Sequence, residues 1–318
     1  MKFFYCDSHT FFLPEGHRFP IRKYVLLREC LEQTRLASPE NLIESEAATD
    51  EQILRVHTAE YLQKLKDCTL TEKEQRRLGF PWSPALLERS RRSVGGTIAA
   101  CRAALAEGMA MNLAGGTHHA YPDHGEGFCV FCDVGIAARA MQAEGRAGRI
   151  AILDCDVHQG NGTAAVFADD PTVFTFSIHG ANNFPLHKEK SDLDLELPDG
   201  TGDDEYLEAV DYGAQRALQL SNPSLAIYLA GADPFEGDTL GRLRVSKAGL
   251  ARRDRLVFDH CAHAGVAVAI VLSGGYSKNV HDMVDIHFQT ARLAVERSIQ
   301  TTRSSPPHPP RTSHPTPG

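Results

Sequence analysis

Short apolar segments alternate with helical segments along most of the chain, and this alternation constrains the fold more than any other feature. The apolar segments predict strands because they are too short for buried helices; they lie at residues 1–5, 109–114, 149–153, 172–178, 225–230 and 266–272. Apolar residues at helical spacing predict helices at residues 20–36, 51–66, 84–107, 131–144, 203–220, 246–264 and 281–298. Strands separated by helices indicate βα units and a mostly parallel sheet covered on both faces, so the predicted fold class is α/β.

Polar side chains follow the predicted strands at the point where each strand ends. Asp154, Asp156 and His158 occupy alternate positions after the 149–153 strand, so an extended backbone places them on one side. The alternative for this segment alone is a strand end with a polar turn. The other strands are followed by His118 and His119, by His179, by Asp233, and by the turn Gly274-Gly275-Tyr276. Because open parallel sheets build their sites at the carboxyl ends of strands, we expect one shared site there.

These residue types predict metal-assisted hydrolysis of an amide. Asp156, His158 and Asp233 offer two carboxylates and one imidazole, a donor set that leaves open positions on Zn²⁺ or Fe²⁺. A catalytic metal needs those positions for a water and for a substrate carbonyl. The remaining candidates are a pair of histidines for proton transfer, their orienting acceptors and a phenol for a developing oxyanion; they are His118, His119, Asp154, Asn161 and Tyr276.

Composition excludes several other classes of protein. The net charge of -8 and the absence of a basic stripe argue against nucleic-acid binding, and no apolar run approaches the roughly 20 residues of a membrane span. The eight cysteines are scattered, and the first residues, MKFFYCDSHTFF, do not form an export signal. We therefore expect a cytoplasmic protein with reduced thiols, in which the CxxC of Cys129 and Cys132 is two packed thiols. The alternating acids at residues 191–208 favour an exposed edge strand running into a helix start, behind a capping-box-like Thr201-x-x-Asp204, over a calcium loop.

Four blocks of sequence resemble the signature blocks of the histone deacetylase family. They are GGTHHAYPDHGEGFCVFCD at residues 115–133, ILDCDVHQGNGT at 152–163, LAGADPFEGDTLGRL at 229–243 and LSGGYS at 272–277. The wording HQGNG, with GHRFPIRKY at 16–24 and GFPWSPALLERS at 79–90, is similar to class IV deacetylases and their bacterial relatives. The resemblance covers residues 1–300 and implies the arginase–deacetylase fold, a single three-layer domain around an eight-stranded sheet.

The resemblance also implies roles for individual residues. Asp156, His158 and Asp233 match the zinc ligands, His119 the general base, and His118 its partner, held by Asp154. Tyr276, beside Gly275, matches the tyrosine that polarises the scissile carbonyl. Gly127 and Phe128 match one wall of the acyl-lysine channel, and Phe184 the other. A structural monovalent cation, usually potassium, matches Asp154, Asp156, His158, Ser177 and Ile178, and Arg22 matches a basic residue of an internal release channel.

Two departures from the family pattern keep alternatives open. Asn161 stands where class I enzymes have an aspartate, so His119 is expected to be less basic than with a carboxylate partner. No residue matches the rim aspartate that anchors the substrate backbone in class I enzymes. The expected function is removal of acetyl or longer fatty acyl groups from protein lysines. The alternatives are deacylation of a small acylated amine, such as an acetylpolyamine or a natural-product amide, and a catalytically silent binding module.

The last eighteen residues form a separate segment. Residues 301–318, TTRSSPPHPPRTSHPTPG, are rich in proline and almost free of apolar residues, which predicts a disordered tail. The sequence does not indicate an oligomeric state.

Overall fold

The strands of this protein form one parallel sheet. The computed structural model describes residues 1–304, and its strands are β1 (Lys2–Tyr5), β2 (Leu42–Glu44), β3 (Met109–Asn112), β4 (Ile150–Asp154), β5 (Val173–Gly180), β6 (Leu193–Leu197), β7 (Leu225–Leu229) and β8 (Ala267–Val271). Their order across the sheet is β2-β1-β3-β8-β7-β4-β5-β6, and every neighbouring pair is parallel. The predicted α/β fold is thus confirmed, and all eight strands have their carboxyl ends at the same edge.

Ten helices lie in the described part of the chain. They are α1 (Arg22–Gln33), α2 (Asp50–Ile53), α3 (Ala59–Lys66), α4 (Glu72–Leu78), α5 (Pro84–Glu107), α6 (Asp133–Ala143), α7 (Asn161–Val166), α8 (Asp203–Ser221), α9 (Lys247–His263) and α10 (Val280–Ser304). The longer ones agree closely with the sequence prediction, and α5 begins at Pro84 as expected for a proline in the first turn. Helix α10 includes the start of the predicted disordered tail, and residues 305–318 lie outside the described residues.

The sheet is buried on both faces because helices cover both. Alternate residues of one strand belong to different hydrophobic clusters: in β4, Ala151 and Leu153 pack with α1, α8, α9 and α10, whereas Ile150 and Ile152 pack with α3, α5 and α6. Successive side chains of a strand point to opposite faces, so a strand covered on both sides must be apolar throughout. This is why the central strands read as continuous apolar runs rather than as alternating ones.

Two local predictions are wrong. The helix expected over residues 51–66 is broken into α2 and α3, because Thr58 begins a new helix by accepting a hydrogen bond from the backbone N–H of Tyr61. The expected capping box at Thr201 is also absent. Gly202 precedes α8, and the Thr201 hydroxyl instead donates to the carbonyl oxygen of Pro198 at 2.9 Å.

Other features were either missed or correctly anticipated. The sequence prediction omitted β2, α4 and α7, three short elements whose periodicity is too brief to detect. The acidic segment does contain an edge strand, since β6 is the outermost strand on its side. All eight cysteines are free thiols, as expected. Within residues 1–304, no helix is both long enough and apolar enough to cross a bilayer.

Candidate active site

The candidate residues come together because five adjacent strands deliver them to one edge. In the order β3-β8-β7-β4-β5, each strand ends next to a loop that carries candidate side chains. Asp154 is the last residue of β4. In the segment that follows, Asp156 and His158 alternate with the buried residues Cys155 and Val157. His179, which the sequence places after a strand, lies instead within β5, fully buried, with Nδ1 2.9 Å from the Ser177 hydroxyl.

Asp156, His158 and Asp233 form a compact group with the chemistry of a metal site. One potential ligand atom from each lies within 4.8 Å of the others, and all three side chains are buried. His158 Nδ1 is 3.0 Å from Asp156 Oδ1 and 3.3 Å from Asp233 Oδ2. Asp233 Oδ2 accepts no hydrogen bond from any described residue, although it has no access to solvent. A buried, unpartnered carboxylate oxygen is costly, and a divalent cation would satisfy it.

The electrostatics of this group also favour a cation. Burial and the neighbouring Asp156 carboxylate raise the pKa of Asp233 to about 7. Burial opposes charge on His158, yet its hydrogen bond to Asp156 and the nearby carboxylate of Asp233 outweigh this effect and raise the pKa of His158 to about 10. Two carboxylates this close repel each other unless positive charge lies between them. These residues therefore fit a bound metal.

The paired histidines have opposite electrostatic character. His118 Nδ1 donates to Asp154 Oδ2 at 2.6 Å, and His119 Nδ1 donates to Asn161 Oδ1 at 2.6 Å. Burial would lower the pKa of His118, but the carboxylates of Asp154 and Asp156 raise it to about 9. Burial and the nearby His118 and His158 hold the pKa of His119 well below its usual range. At neutral pH His118 is therefore charged and His119 is neutral, with a free lone pair on Nε2.

Tyr276 lies on the other side of the group, on the loop after β8. Its ring centroid is 6.2 Å from that of His158 and 6.0 Å from that of Phe128. Burial and the carboxylates of Asp156 and Asp233 raise its pKa well above the usual value, so the phenol keeps its proton. Asp238, which the sequence prediction did not include, fixes the loop by accepting a hydrogen bond from the backbone N–H of Tyr276 at 2.5 Å.

A cavity of about 310 Å³ leads to these residues. Phe128 and Phe184 both line it, together with Gly127, His119, His158 and Tyr276. The Phe184 ring stands edge-on to His119 with 4.9 Å between centroids. A Cβ atom at Gly127 would come within 2.7 Å of the His119 ring, so only glycine allows the approach. The structure thus brings the predicted channel residues together, except that the described lining of this cavity does not include Gly275.

A second cavity of about 70 Å³ shares His119, Gly127, Phe128 and Tyr276 with the first. Its lining includes Asp156, His118 and Gly274, and otherwise mostly apolar and aromatic side chains that sequence reasoning missed: Phe11, Phe19, Tyr24, Phe80, Leu86 and Phe131. The segments GHRFPIRKY and GFPWSP contributed to the family resemblance, but the sequence did not indicate that their aromatic side chains line a cavity at the site.

The basic residue expected at this cavity, Arg22, does not line it, whereas the buried Arg89 does. Arg22 is exposed, whereas the neighbouring Lys23 is buried, and its Nζ donates to the carbonyl oxygen of Ser273 at 3.1 Å. Burial lowers the pKa of Lys23 to about 8. Adjacent helical positions point in different directions, and only the packing of α1 shows which one faces inward.

The residues predicted to hold a monovalent cation are neighbours in the sheet. Asp154 in β4 is the register partner of Ser177 in β5, and Ile178 follows Ser177 on the same strand. Asp156 and His158 continue the chain from the end of β4.

Comparisons with known proteins agree with this architecture. A family model described as histone deacetylase domain matches residues 17–291. An uncharacterised protein of Picosynechococcus is 46% identical, over 89% of this chain and 94% of that protein. A histone deacetylase-like amidohydrolase of Pseudomonas aeruginosa is 32% identical, over 79% of this chain and 70% of that protein. The crystal structure of an HDAC homolog from Aquifex aeolicus superimposes with a TM-score of 0.80 at 21% identity, over 95% of this chain and 88% of that one.

Proposed function

Because this chain belongs to the histone deacetylase family, we propose that it is a metal-dependent deacylase that removes acetyl or longer acyl groups from protein lysines. The observation that carries the proposal is the buried group of Asp156, His158 and Asp233, in which one carboxylate oxygen of Asp233 accepts no hydrogen bond from the described residues. His119 and Tyr276 lie beside it and line the same cavity. Membership of class IV and a cytoplasmic location rest on the sequence and stay predictions.

Asp156, His158 and Asp233 would hold the metal, for which we propose Zn²⁺, with Fe²⁺ as the alternative. The bound ion would supply a Lewis acid for the acyl carbonyl and lower the pKa of a water. We further propose that Asp154, Asp156, His158, Ser177 and Ile178 hold a structural potassium ion, largely through backbone oxygens.

The protein's own groups account for the proton transfers. His119 is neutral and accepts a proton from water at Nε2, because its Nδ1 is engaged by Asn161. The water oxygen then bonds to the acyl carbon, while Tyr276 donates a hydrogen bond to the carbonyl oxygen as it gains negative charge. His119 returns the proton to the leaving nitrogen as the carbon–nitrogen bond breaks, which yields a carboxylic acid and an amine. His118, charged and held by Asp154, stabilises negative charge nearby.

The cavities bear on the choice of substrate. The first cavity is lined by the exposed Arg18 and Arg242, and none of its described lining residues is an acid. Arg242 forms an ion pair with Asp199 at 3.2 Å, so Arg18 supplies the positive charge of this lining that disfavours polycationic amines such as acetylpolyamines, and protein lysines remain the first proposal. The second cavity is lined largely by apolar and aromatic side chains, an environment that suits a hydrocarbon chain, and this supports testing longer acyl groups beside acetyl.

The test is hydrolysis of an acyl-lysine peptide panel from acetyl to myristoyl, with metal content measured on the same sample. Release of acid that a chelator or a hydroxamate stops supports the proposal, and the best chain length defines the pocket. Turnover restricted to small acylated amines would support the alternative substrate class. A protein that binds no metal and hydrolyses nothing would overturn the proposal and indicate a binding module.

A further inference from the structure

Asn161 contacts more than the candidate base. While its Oδ1 accepts from His119, its Nδ2 lies 3.2 Å from the Tyr121 hydroxyl oxygen and 3.4 Å from Glu126 Oε2. The Tyr121 hydroxyl in turn donates to Glu189 Oε1 at 3.0 Å. Hydrogen bonds therefore run without interruption from His119 through Asn161 and Tyr121 to the carboxylate of Glu189.

Both outer members of this chain of hydrogen bonds are held in place. The Tyr121 ring stacks on the His124 ring, with centroids 4.7 Å apart and planes 10° from parallel. The backbone of Glu189 is held by the Gln159 side chain, which donates to its carbonyl oxygen at 2.7 Å and accepts from its N–H at 2.8 Å. The Tyr121 ring and the Glu189 backbone are thus both restrained, and the exposed Glu189 side chain reaches the Tyr121 hydroxyl from a fixed point.

The side-chain amide of Asn161 can accept a hydrogen bond from His119 in only one of its two orientations, whereas a carboxylate could accept in either. Asparagine presents an acceptor at one end and a donor at the other, so turning Asn161 over would point its NH₂ group at His119. Nδ1 of His119 would then have to accept, its proton would move to Nε2, and the lone pair needed for proton abstraction would be lost. Because Tyr121 gives its own proton to Glu189, its oxygen is free to accept from Asn161 at 3.2 Å, and it disfavours that flip together with the longer, 3.4 Å contact to Glu126 Oε2.

We propose that Tyr121 and Glu189 are positioning residues that, through Asn161, keep His119 in the tautomer with its proton on Nδ1. The inference rests on the proposed function, in which His119 is the base. In this proposal, the loops that contain Tyr121 and Glu189 orient the side-chain amide of Asn161. An aspartate at that position would not need to be oriented, because both of its oxygens can accept.

The first test introduces Tyr121→Phe into two forms of the metal-loaded, full-length protein, the wild type and the Asn161→Asp variant. Tyr121→Phe is expected to lower kcat about tenfold, as loss of an outer partner of a site residue commonly does, with KM changed less than about twofold. The same substitution in an Asn161→Asp background is expected to change kcat less than about twofold, because either carboxylate oxygen can accept from His119. An equal loss in both backgrounds, or none in the first, would overturn the proposal.

Glu189 offers a matched pair of substitutions. Glu189→Gln keeps an acceptor for the Tyr121 hydroxyl and is expected to retain kcat, whereas Glu189→Ala removes it and is expected to lower kcat. Equal activity of these two variants would count against the proposal.

A measurement without turnover separates this inference from the proposed function. Nitrogen NMR of ¹⁵N-histidine-labelled protein, with His119 assigned by its substitution to Gln, reports which ring nitrogen carries the proton. We expect protonation at Nδ1 in the wild type and a shift toward Nε2 in Tyr121→Phe. An inactive wild type with this NMR change would refute the proposed function alone, and an unchanged spectrum would refute the inference.

Discussion

The hydroxyl of Ser273 donates a hydrogen bond of 2.7 Å to Oδ2 of Asp156, a residue 117 positions earlier in the chain. The backbone N–H of Gly274 donates to the same oxygen, also at 2.7 Å. The loop after β8, which carries Tyr276, is therefore attached directly to a candidate metal ligand after β4. These two bonds occupy one oxygen of Asp156 and leave the other facing His158.

Loss of the Ser273 hydroxyl is expected to weaken metal binding. Ser273→Ala removes one of the two donors to Oδ2 of Asp156, and loss of such a partner typically lowers metal affinity about tenfold. Competition with a chromogenic chelator measures the affinity. Ser277→Ala is the control, because Ser277 lies on the same loop but donates to Asp282. Equal affinities in the two variants would show that the Ser273 bond does not orient the ligand.

Asp156→Ala is expected to abolish both metal binding and turnover. The substitution removes one of the two carboxylates that hold the cation, and the remaining Asp233 and His158 offer too few ligands. Elemental analysis of the purified protein checks the metal content. A surface substitution, Asp259→Asn, is expected to retain a full complement of metal. If the Asp156 variant carried metal at wild-type occupancy, the ligand assignment would be wrong.

Tyr276→Phe is expected to separate binding from catalysis. The phenylalanine keeps the ring beside Phe128 but has no proton for the developing oxyanion, a loss that commonly lowers kcat about 100-fold or more. Metal content and KM should stay close to those of the wild type. Steady-state kinetics on the best acyl-lysine peptide provide the measurement, and an undiminished kcat would exclude the oxyanion role.

Gly79→Ala is expected to raise KM through Phe128. A Cβ atom at Gly79 would lie 2.8 Å from the Phe128 ring, and the backbone φ of +80° is itself unfavourable for alanine. Gly108→Ala is a matched control: its φ is +89°, but nothing lies within 4 Å of the added atom. Both variants should lose about 1 kcal/mol of unfolding free energy from the backbone, and only Gly79→Ala should change KM. Equal KM values would mean that Phe128 does not shape the channel.

Acid is expected to destabilise the protein through buried neutral histidines. Burial lowers the pKa of His57 to about 4, whereas an unfolded chain has a histidine pKa near 6.5. Between those values the unfolded state binds more protons than the folded state, so stability falls as pH decreases. His57 alone should contribute about 2 kcal/mol of the loss between pH 7.5 and pH 5.

Urea unfolding at the two pH values tests this expectation. His57→Gln keeps an acceptor for the backbone N–H of Cys132 but cannot titrate, so its stability should depend less on pH. His263→Gln, at an exposed position, should behave like the wild type. An identical pH dependence in His57→Gln and the wild type would contradict the role of His57.

The sequence by itself determined the class of fold and the local groupings of the candidate site. Strands buried on both faces must be continuously apolar, so their positions could be recognised. The polar residues after Leu153 and Ala114 indicated that the candidate site lies at the carboxyl ends of the strands. Asp156 and His158 are only two positions apart, so the sequence alone predicts that their side chains lie close together. Asp233 and Tyr276 were assigned through their place after a strand and through the family resemblance.

Only the tertiary structure decided which distant residues meet and at what distance. The order β3-β8-β7-β4-β5 brings Ser273 to Asp156, and the choice of Lys23 over Arg22 depends on how α1 packs. The contacts of Asn161 with Tyr121, and of Tyr121 with Glu189, likewise join the start of α7 to two loops that are distant from each other in the sequence. Periodicity reports the environment of a segment, because burial of one face repeats along it. It carries no information on the partner that covers that face, since many arrangements of the same elements would bury the same pattern.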